Sequence, residues 1–450
     1  MISIKTSMKK INQFISIVLE ACRNTKDVKG TSARLKRDLQ INLSLQLEEA
    51  FQRNKHKFRN GQKIKVRMVY AIPSYWQSWA SVYDELKSRN DIDLNVIYMS
   101  LKGHPKETSQ HAGAEDFLIN NNIPFTYADD FDPSLDNPDI VIFQCPYNWY
   151  YDTVYGQLRV ELLKGLGIRT CYIPYGIEFD DSHNSNKIQN LHCSHPLQKY
   201  AWRVFATHTD VKLYFAKYCI TGSAHVKSFG HPKFDTYAYP ANVVFENSIK
   251  AKASGRKIVL FQIHSPNNSD CKDPKKYHTL QFQEISKICK YLSSCKDVYS
   301  LITFHPAFES RVIELKKATA KDFAALKDCI NQSNNAEVFV GNYQDAIKIA
   351  DAYISEISSL LVEMAYMEKP TMFLYDQKVT LKRFTETLSS GFFNGNKLEH
   401  VQNFIKMIVN GSDNKRERRR EVKKQIFTIT VGEIGKRIVD DIINDYKMGR

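Results

Sequence analysis

The sequence predicts an α/β protein of two Rossmann-like domains facing a cleft, preceded by a helical extension. Three observations predict it. From residue 64 onward, short apolar runs alternate with amphipathic stretches, the pattern of mainly parallel sheets with helices on their faces. That pattern runs to about residue 236, yields to a polar linker and restarts at 256. The 450 residues also exceed one ordinary core. The two halves share architecture without a tight repeat.

Residues 1–60 read as a polar helical extension, with apolar spacing at Ile11, Phe14, Ile15, Val18 and Leu19; such a stripe is a core face or an interfacial helix. In the first half, 61–240, "IKVRMVYAI" is a strand, "PSYWQSW" a loop and "ASVYDELKSR" a helix. The strand "DLNVIYMS", the helix "AEDFLINNN" and the strands "PFTYA", "PDIVIFQCP" and "RTCYIPYG" follow, and "VKSFGHPKFD" closes the half. The second half, 241–425, reads as strand 256–266, a helix near 280–294, strand "VYSLITFHP", one helix over about 309–330, and strand "AEVFVG". The helix "YQDAIKIA", strand "DAYIS" and strand "KPTMFLY" complete it, and 426–450 reads as a helix packing back across both halves. Two such domains facing a cleft make the GT-B plan, which serves transferases and nucleotide-sugar epimerases alike.

Composition narrows the class. Hydrophobic residues are 43% and aromatics 12%, enough to bury a core. No stretch approaches the ~20 apolar residues of a membrane span, and "FISIVLEA" is short, broken by Glu20 and without a small-residue cleavage site, so no signal peptide is expected. Nine cysteines, scattered and without a CxxC pair, read as thiols in a reducing cytoplasm rather than a zinc site or disulfide frame. The net charge of +14 favours acidic partners. Its densest run, "KRERRREVKK" at 415–424, is either a solvated helix face or a peripheral footing on the anionic inner membrane surface. No nucleic-acid motif accompanies the charge.

The chemistry-bearing residues stand where strands of the second half meet their loops. "QIHSPNN" places His264 and Ser265 after one strand, "ITFHPAFES" places His305 after the next, and "SEISSLLVE" places Ser358, Ser359 and Glu363 after a third. In a parallel sheet these loops share one edge and converge on one crevice. Imidazole donates to phosphate oxygens, and a helix N-terminus attracts them. A serine there is also an ordinary N-cap. His-Pro occurs at 104, 195, 231 and 305, and only His305 directly follows a clear buried strand of the second half. In the first half, "IPSYWQSW" offers Tyr75, Trp76 and Trp79 for stacking on a sugar or for packing.

"FHP", with "DAYISEISSLLVEMAYMEKPTMFL", resembles the signature of CDP-glycerol glycerophosphotransferases of teichoic-acid type, GT-B enzymes that build cell-surface polymers. The pairing of an HP motif with a serine motif around a cytidine nucleotide is similar to bacterial sialyl- and polysialyltransferases. "FGHPKFD" resembles the family's Gly-x-Pro-Arg-x-Asp motif, with Lys233 in place of arginine, and "FTITVGEIGKRIVDDI" resembles its C-terminal end. The resemblance implies that His305 and the serine pair hold the donor's phosphates and that Glu363 holds the ribose; His264, Ser265 and Lys233 are further expected donor contacts. It implies a metal-independent transferase without cofactor. Its donor would be CDP- or CMP-linked rather than UDP-linked, its acceptor a glycan or lipid-linked chain, and its place the cytoplasm or the inner membrane face.

One departure concerns the acceptor side. The family's Trp-His-Gly-Thr-Pro motif carries a histidine proposed as base; here "YIPYGIEFDD" places Tyr175 before Gly176, and a tyrosine with a reference pKa near ~10 is a poor base. Glu178 is the first candidate by position, followed by Asp180, Asp181 and His183 in the same loop, which also reads as a solvated acidic loop. Tyr75, Trp76, Tyr175 and Gly176 are the expected acceptor contacts. An epimerase would act with no acceptor, and a basic scaffold would bind nucleic acid or anionic lipid in a salt-dependent way.

Overall fold

The computed structural model describes residues 28–105, 107, 109–147, 151, 154–177, 193–266, 280–375, 381, 383–427 and 432–450. The first sheet comprises β1 (Ile64–Tyr70), β2 (Ile92–Tyr98), β3 (Phe125–Tyr127), β4 (Ile140–Phe143), β5 (Arg169–Tyr172), β6 (Arg203–Ala206) and β7 (Val226–Ser228). The second comprises β8 (Lys257–Ile263), β9 (Val298–Phe304), β10 (Ala336–Val338), β11 (Ala352–Ser355), β12 (Thr371–Leu374) and β13 (Phe393–Gly395). The spatial orders are β3-β2-β1-β4-β5-β6-β7 and β10-β9-β8-β11-β12-β13, and the strand pairings are parallel. Both orders reverse once, between β1 and β4 and between β8 and β11. Those reversals are the two places where a doubly wound sheet opens a crevice beyond its carboxyl edge.

Successive residues of a strand enter opposite faces of the sheet as the pleat requires, and the central strands are buried on both. Ile258 and Leu260 of β8 join an apolar cluster that also contains Met68, Trp79 and Ile438. Val259, Phe261 and Ile263 enter a separate cluster with Ile288 and Phe404. The outer face of the first sheet packs its own cluster around Val69, Phe143 and Val204. The inner faces of the two halves therefore share one continuous core, while each outer face is covered by its own helices.

The helix Val28–Asn54 lies on the first half, where Phe51 is buried and Leu43 and Leu47 pack partly buried. Its end touches Gly167, which has φ +83° and where an added Cβ would sit 1.9 Å from the carbonyl oxygen of Asn54; only glycine fits there. The C-terminal helix Ile434–Lys447 returns to the first half, and Lys447 pairs with Asp91 at 2.7 Å. A Cβ at Gly435 would come within 2.6 Å of Ser81, so the helix backbone itself is in contact with helix Ala80–Ser88.

Three details differ from the sequence-based expectation. The segment 73–78 is a 3₁₀ turn opened by Pro73. The helix expected over 309–330 is two, Phe308–Glu314 and Ala320–Asn331. The second is restarted by a capping box in which Thr319 Oγ1 accepts from Asp322 N at 3.1 Å and Thr319 N donates to Asp322 at 2.9 Å. β6, β7 and β13 lie outside the sequence-based strands; β13 reads Phe-Asn-Gly, two weak strand formers out of three, and forms because β12 templates it.

Candidate functional site

The crevice of the second sheet brings two histidines together. The His264 and His305 rings lie 5.0 Å apart, centroid to centroid. His305 N donates to Ile263 O at 2.8 Å, so the end of β9 is tied to the end of β8. His305 Nδ1 accepts from Ala307 N at 3.1 Å. That bond places the proton of the neutral ring on Nε2. His264 Nδ1 lies 3.0 Å from Ser265 O, a contact that only Nδ1–H can make as a donor, which leaves His264 Nε2 as an acceptor when neutral. Burial, and then the neighbouring His264, push the His305 pKa down to about 4; burial lowers His264 as well. Both rings are uncharged at neutral pH, one presenting a donor and the other an acceptor.

A carboxylate absent from the sequence-based site holds this arrangement. Glu356, buried at the end of β11, accepts from His264 N at 2.9 Å and from Leu280 N at 2.7 Å. Burial pushes its pKa up to about 7 against the pull of those two N–H groups. The available signal was an acidic residue directly following an apolar strand, a position that normally ends in a neutral turn. Ser355 is likewise internal, its Oγ donating to Gln262 Oε1 at 2.8 Å.

The serine pair divides. Ser358 Oγ accepts from Leu360 N at 3.1 Å, an ordinary cap. Ser359 is the N-cap of helix Leu360–Tyr366 without a capping side-chain bond. Ser265 Oγ reaches Ala307 O at 3.5 Å, the limit of a hydrogen bond.

Glu363 and Lys233 meet elsewhere, in a buried network between the connecting segment and the second half. Glu363 accepts from Tyr237 OH at 2.7 Å and from Tyr343 OH at 3.5 Å. Lys233 Nζ lies 5.7 Å from the Tyr343 ring centre. Burial raises the Glu363 pKa against the attraction of Lys233, and burial lowers that of Lys233 against the attraction of Glu363. The carboxylate that the resemblance gives to a ribose is held by two phenols in this structure.

The crevice of the first sheet is aromatic. Tyr75 stacks on Tyr175 with centroids 4.1 Å apart and planes 14° from parallel. Tyr147 OH and Tyr175 OH lie 2.7 Å apart, and His195 meets the Tyr147 ring edge-on at 5.6 Å. Gln144 Nε2, just past β4, donates to Tyr75 O at 2.7 Å. Burial raises the pKa of Tyr175 well above its ordinary value, so this phenol is a hydrogen-bonding group and not a base. Gly176 follows it, half-buried. Trp76 points into an aromatic cluster instead, with Tyr83 at 4.9 Å and Phe117 at 5.5 Å. Glu178, Asp180, Asp181 and His183 lie outside the described residues.

The motif "FGHPKFD" ties these parts together. His231 Nδ1 accepts from Lys233 N at 3.2 Å, the same turn that His305 makes with Ala307, and His231 Nε2 donates to Pro174 O at 2.8 Å. Asp235 accepts from Gly432 N at 2.8 Å, Ile434 N at 3.0 Å and Gly435 N at 2.7 Å. It thereby caps the C-terminal helix, so this motif is in direct contact with the start of that helix. Between the two His-Pro turns one difference decides. His231 Nε2 is satisfied by protein, whereas His305 Nε2 has no protein partner among the described residues.

No family model and no curated protein sequence matches the chain. Solved structures do. A Staphylococcus aureus MnaA–UDP co-structure is 12% identical with TM-score 0.57, covering 86% of this chain and 97% of its own. The wall teichoic acid polymerase TagF is 13% identical with TM-score 0.53, covering 93% and 98%. The UDP-GlcNAc 2-epimerase of Neisseria meningitidis, bound to UDP-GlcNAc, is 13% identical with TM-score 0.55, covering 85% and 100%. These likenesses establish the fold: the chain is a GT-B protein.

Proposed function

We propose that this GT-B chain is a transferase that moves a glycosyl or polyol-phosphate unit from a nucleotide-activated donor onto a growing cell-surface polysaccharide. The observation that supports this most is the free Nε2–H of His305 beside His264 at the reversal point of the second sheet. A neutral donor there can bond a phosphate oxygen as charge develops on the departing nucleotide. The unbonded Ser359 hydroxyl at the start of helix Leu360–Tyr366 adds a second polar contact. A cytidine donor is favoured by the motif resemblance. On the acceptor side Tyr75 and Tyr175 form the wall, and a carboxylate of the following loop, Glu178 first, takes the acceptor proton. The charge of +14 suits an anionic donor, and the basic helix Arg416–Ile426 offers a footing on an anionic membrane surface.

The solved epimerases of the same fold favour a second reading, rearrangement of a nucleotide sugar without acceptor. One experiment separates the two. CMP, CDP, UDP, GDP and ADP are screened by thermal shift, which detects a ligand bound only to the folded state. The donor built on the best nucleotide is then incubated with and without oligosaccharide acceptor. Product formed only with acceptor supports transfer; conversion of the donor alone supports epimerisation; no stabilisation by any nucleotide overturns both.

A further inference from the structure

We infer that a groove on the outer edge of the second half binds an uncharged stretch of oligosaccharide, as a distal site for the chain being extended. This inference rests on the transferase reading above. The groove, about 850 Å³, runs between helix Val243–Ala253 and the edge strand β10 and ends at the loop 339–342. That volume suits two or three sugar rings.

Its position connects it to the acceptor side. At its inner end Asn342 Oδ1 accepts from Gln77 Nε2 of the other half at 3.2 Å. Gln77 belongs to the same 3₁₀ turn as Tyr75. Two residues of chain span at most about 7 Å, so the groove begins close to the proposed acceptor wall.

The lining selects for sugar and against charge. Glu337 is matched by Lys252, and Asp345 by Lys348 at 3.7 Å. The lining itself carries one base, Lys252, against two carboxylates, Glu337 and Asp345, so in a chain of net charge +14 this groove has no excess of basic charge with which to attract phosphate or carboxylate. The carboxamide oxygens of Asn242 and Asn331 are engaged by Phe245 N at 3.1 Å and Val338 N at 2.9 Å, so both side chains offer Nδ2 donors. The rings of Phe245 and Phe339, 5.5 Å apart, and Val340, 90% exposed, supply the apolar contacts that sugar C–H faces take. An added peptide strand is disfavoured, because Val338 N, the donor on the open side of β10, is already closed by Asn331.

The test is an array of neutral and anionic oligosaccharides probed with the full chain, Ser248→Trp and Val340→Asp, each checked for a wild-type unfolding midpoint. Ser248 lines the groove from an exposed helix position, so tryptophan fills the groove without disturbing a core; Val340→Asp covers the case in which it does not fold. The inference expects a neutral oligosaccharide to bind the wild type and to lose at least tenfold in affinity in either folded variant. Binding of anionic chains only, of no oligosaccharide, or of a neutral one with unchanged affinity in a folded variant overturns it. Nucleotide titration of the wild type is read separately. Nucleotide binding with no neutral-glycan binding removes the groove and keeps the transferase reading; glycan binding without nucleotide binding removes the transferase reading.

Discussion

Replacing His305 by alanine removes two things that the structure separates. One is the Nε2–H that faces no protein group. The other is the Nδ1 acceptor that closes the turn on Ala307 N at 3.1 Å. The first loss is chemical: withdrawing one donor from a developing oxyanion typically costs about 10²–10³ in rate. The second is conformational: an unpaired N–H in a half-buried turn costs about 1 kcal/mol. His305→Asn restores the turn, since the Asn Oδ1 lies where Nδ1 did, but its amide cannot extend as far as Nε2. The expectation is that His305→Ala loses about 10²–10³ in kcat/KM together with about 1 kcal/mol of unfolding free energy. His305→Asn should lose the same activity and keep the stability. The assays are donor-dependent transfer and urea unfolding on the same preparations. Turnover within threefold of wild type in folded His305→Asn would take His305 out of the reaction and leave it, like His231, a turn residue.

The serine pair should split: Ser358→Ala lowers stability by about 1 kcal/mol through the lost cap, whereas Ser359→Ala leaves the unfolding midpoint unchanged and weakens nucleotide binding by calorimetry. Asp235→Ala strips three backbone N–H groups of their acceptor and should cost about 3 kcal/mol in urea unfolding, with Asp235→Asn intermediate. Glu178→Gln should abolish transfer while donor affinity survives; persistence of both moves the base to Asp180, Asp181 or His183. Acid should expose opposing groups. His231 and His305 have pKa values of about 3 and 4, below the unfolded value, so their neutral burial stabilises the fold fully above pH ~6.5 and that stability falls away as the pH drops, by about 2 kcal/mol each at pH 5. Glu356, raised to about 7, binds its proton first in the folded state and offsets about 2 kcal/mol of that loss. Glu356→Gln should therefore steepen the decline in unfolding free energy between pH 7.5 and 5; a parallel profile would show that Glu356 does not titrate in this range.

The fold was legible because period and spacing are set by physics that acts locally. An apolar run such as "KIVLFQI" reads as a two-sided buried strand before any partner is known, and its register with β9 and β11 adds nothing to that reading. β13 was illegible for the opposite reason: its strand character comes from β12, not from its own residues. At the site, the three loops that meet at one edge were foreseeable from parallel topology alone. Which side chains remain free was not. Ser358 and Ser359 are chemically identical neighbours, and only the direction of the Leu360 N–H distinguishes them. Glu363 read as an open carboxylate because Tyr237 and Tyr343, 126 and 20 residues away, reach it only through tertiary contact. Glu356 is hidden in the sequence because it stands within a motif whose serines offer the expected chemistry.

The connecting segment 231–237 shows why the two walls of the cleft belong to one device. His231 bonds the carbonyl of Pro174, next to Tyr175 on the first wall. Tyr237 bonds Glu363, on the helix that starts at the serine pair of the second. Between them Asp235 caps the helix that returns to the first half. Seven consecutive residues thus touch the aromatic wall, the helix behind the phosphate-side loops and the returning helix. His231 also repeats the His305 turn with its free nitrogen turned inward. The same His-Pro unit serves once as a strut and once as a donor. What decides between them is whether a carbonyl such as that of Pro174 stands opposite Nε2, and that is a property of the assembled cleft rather than of the motif.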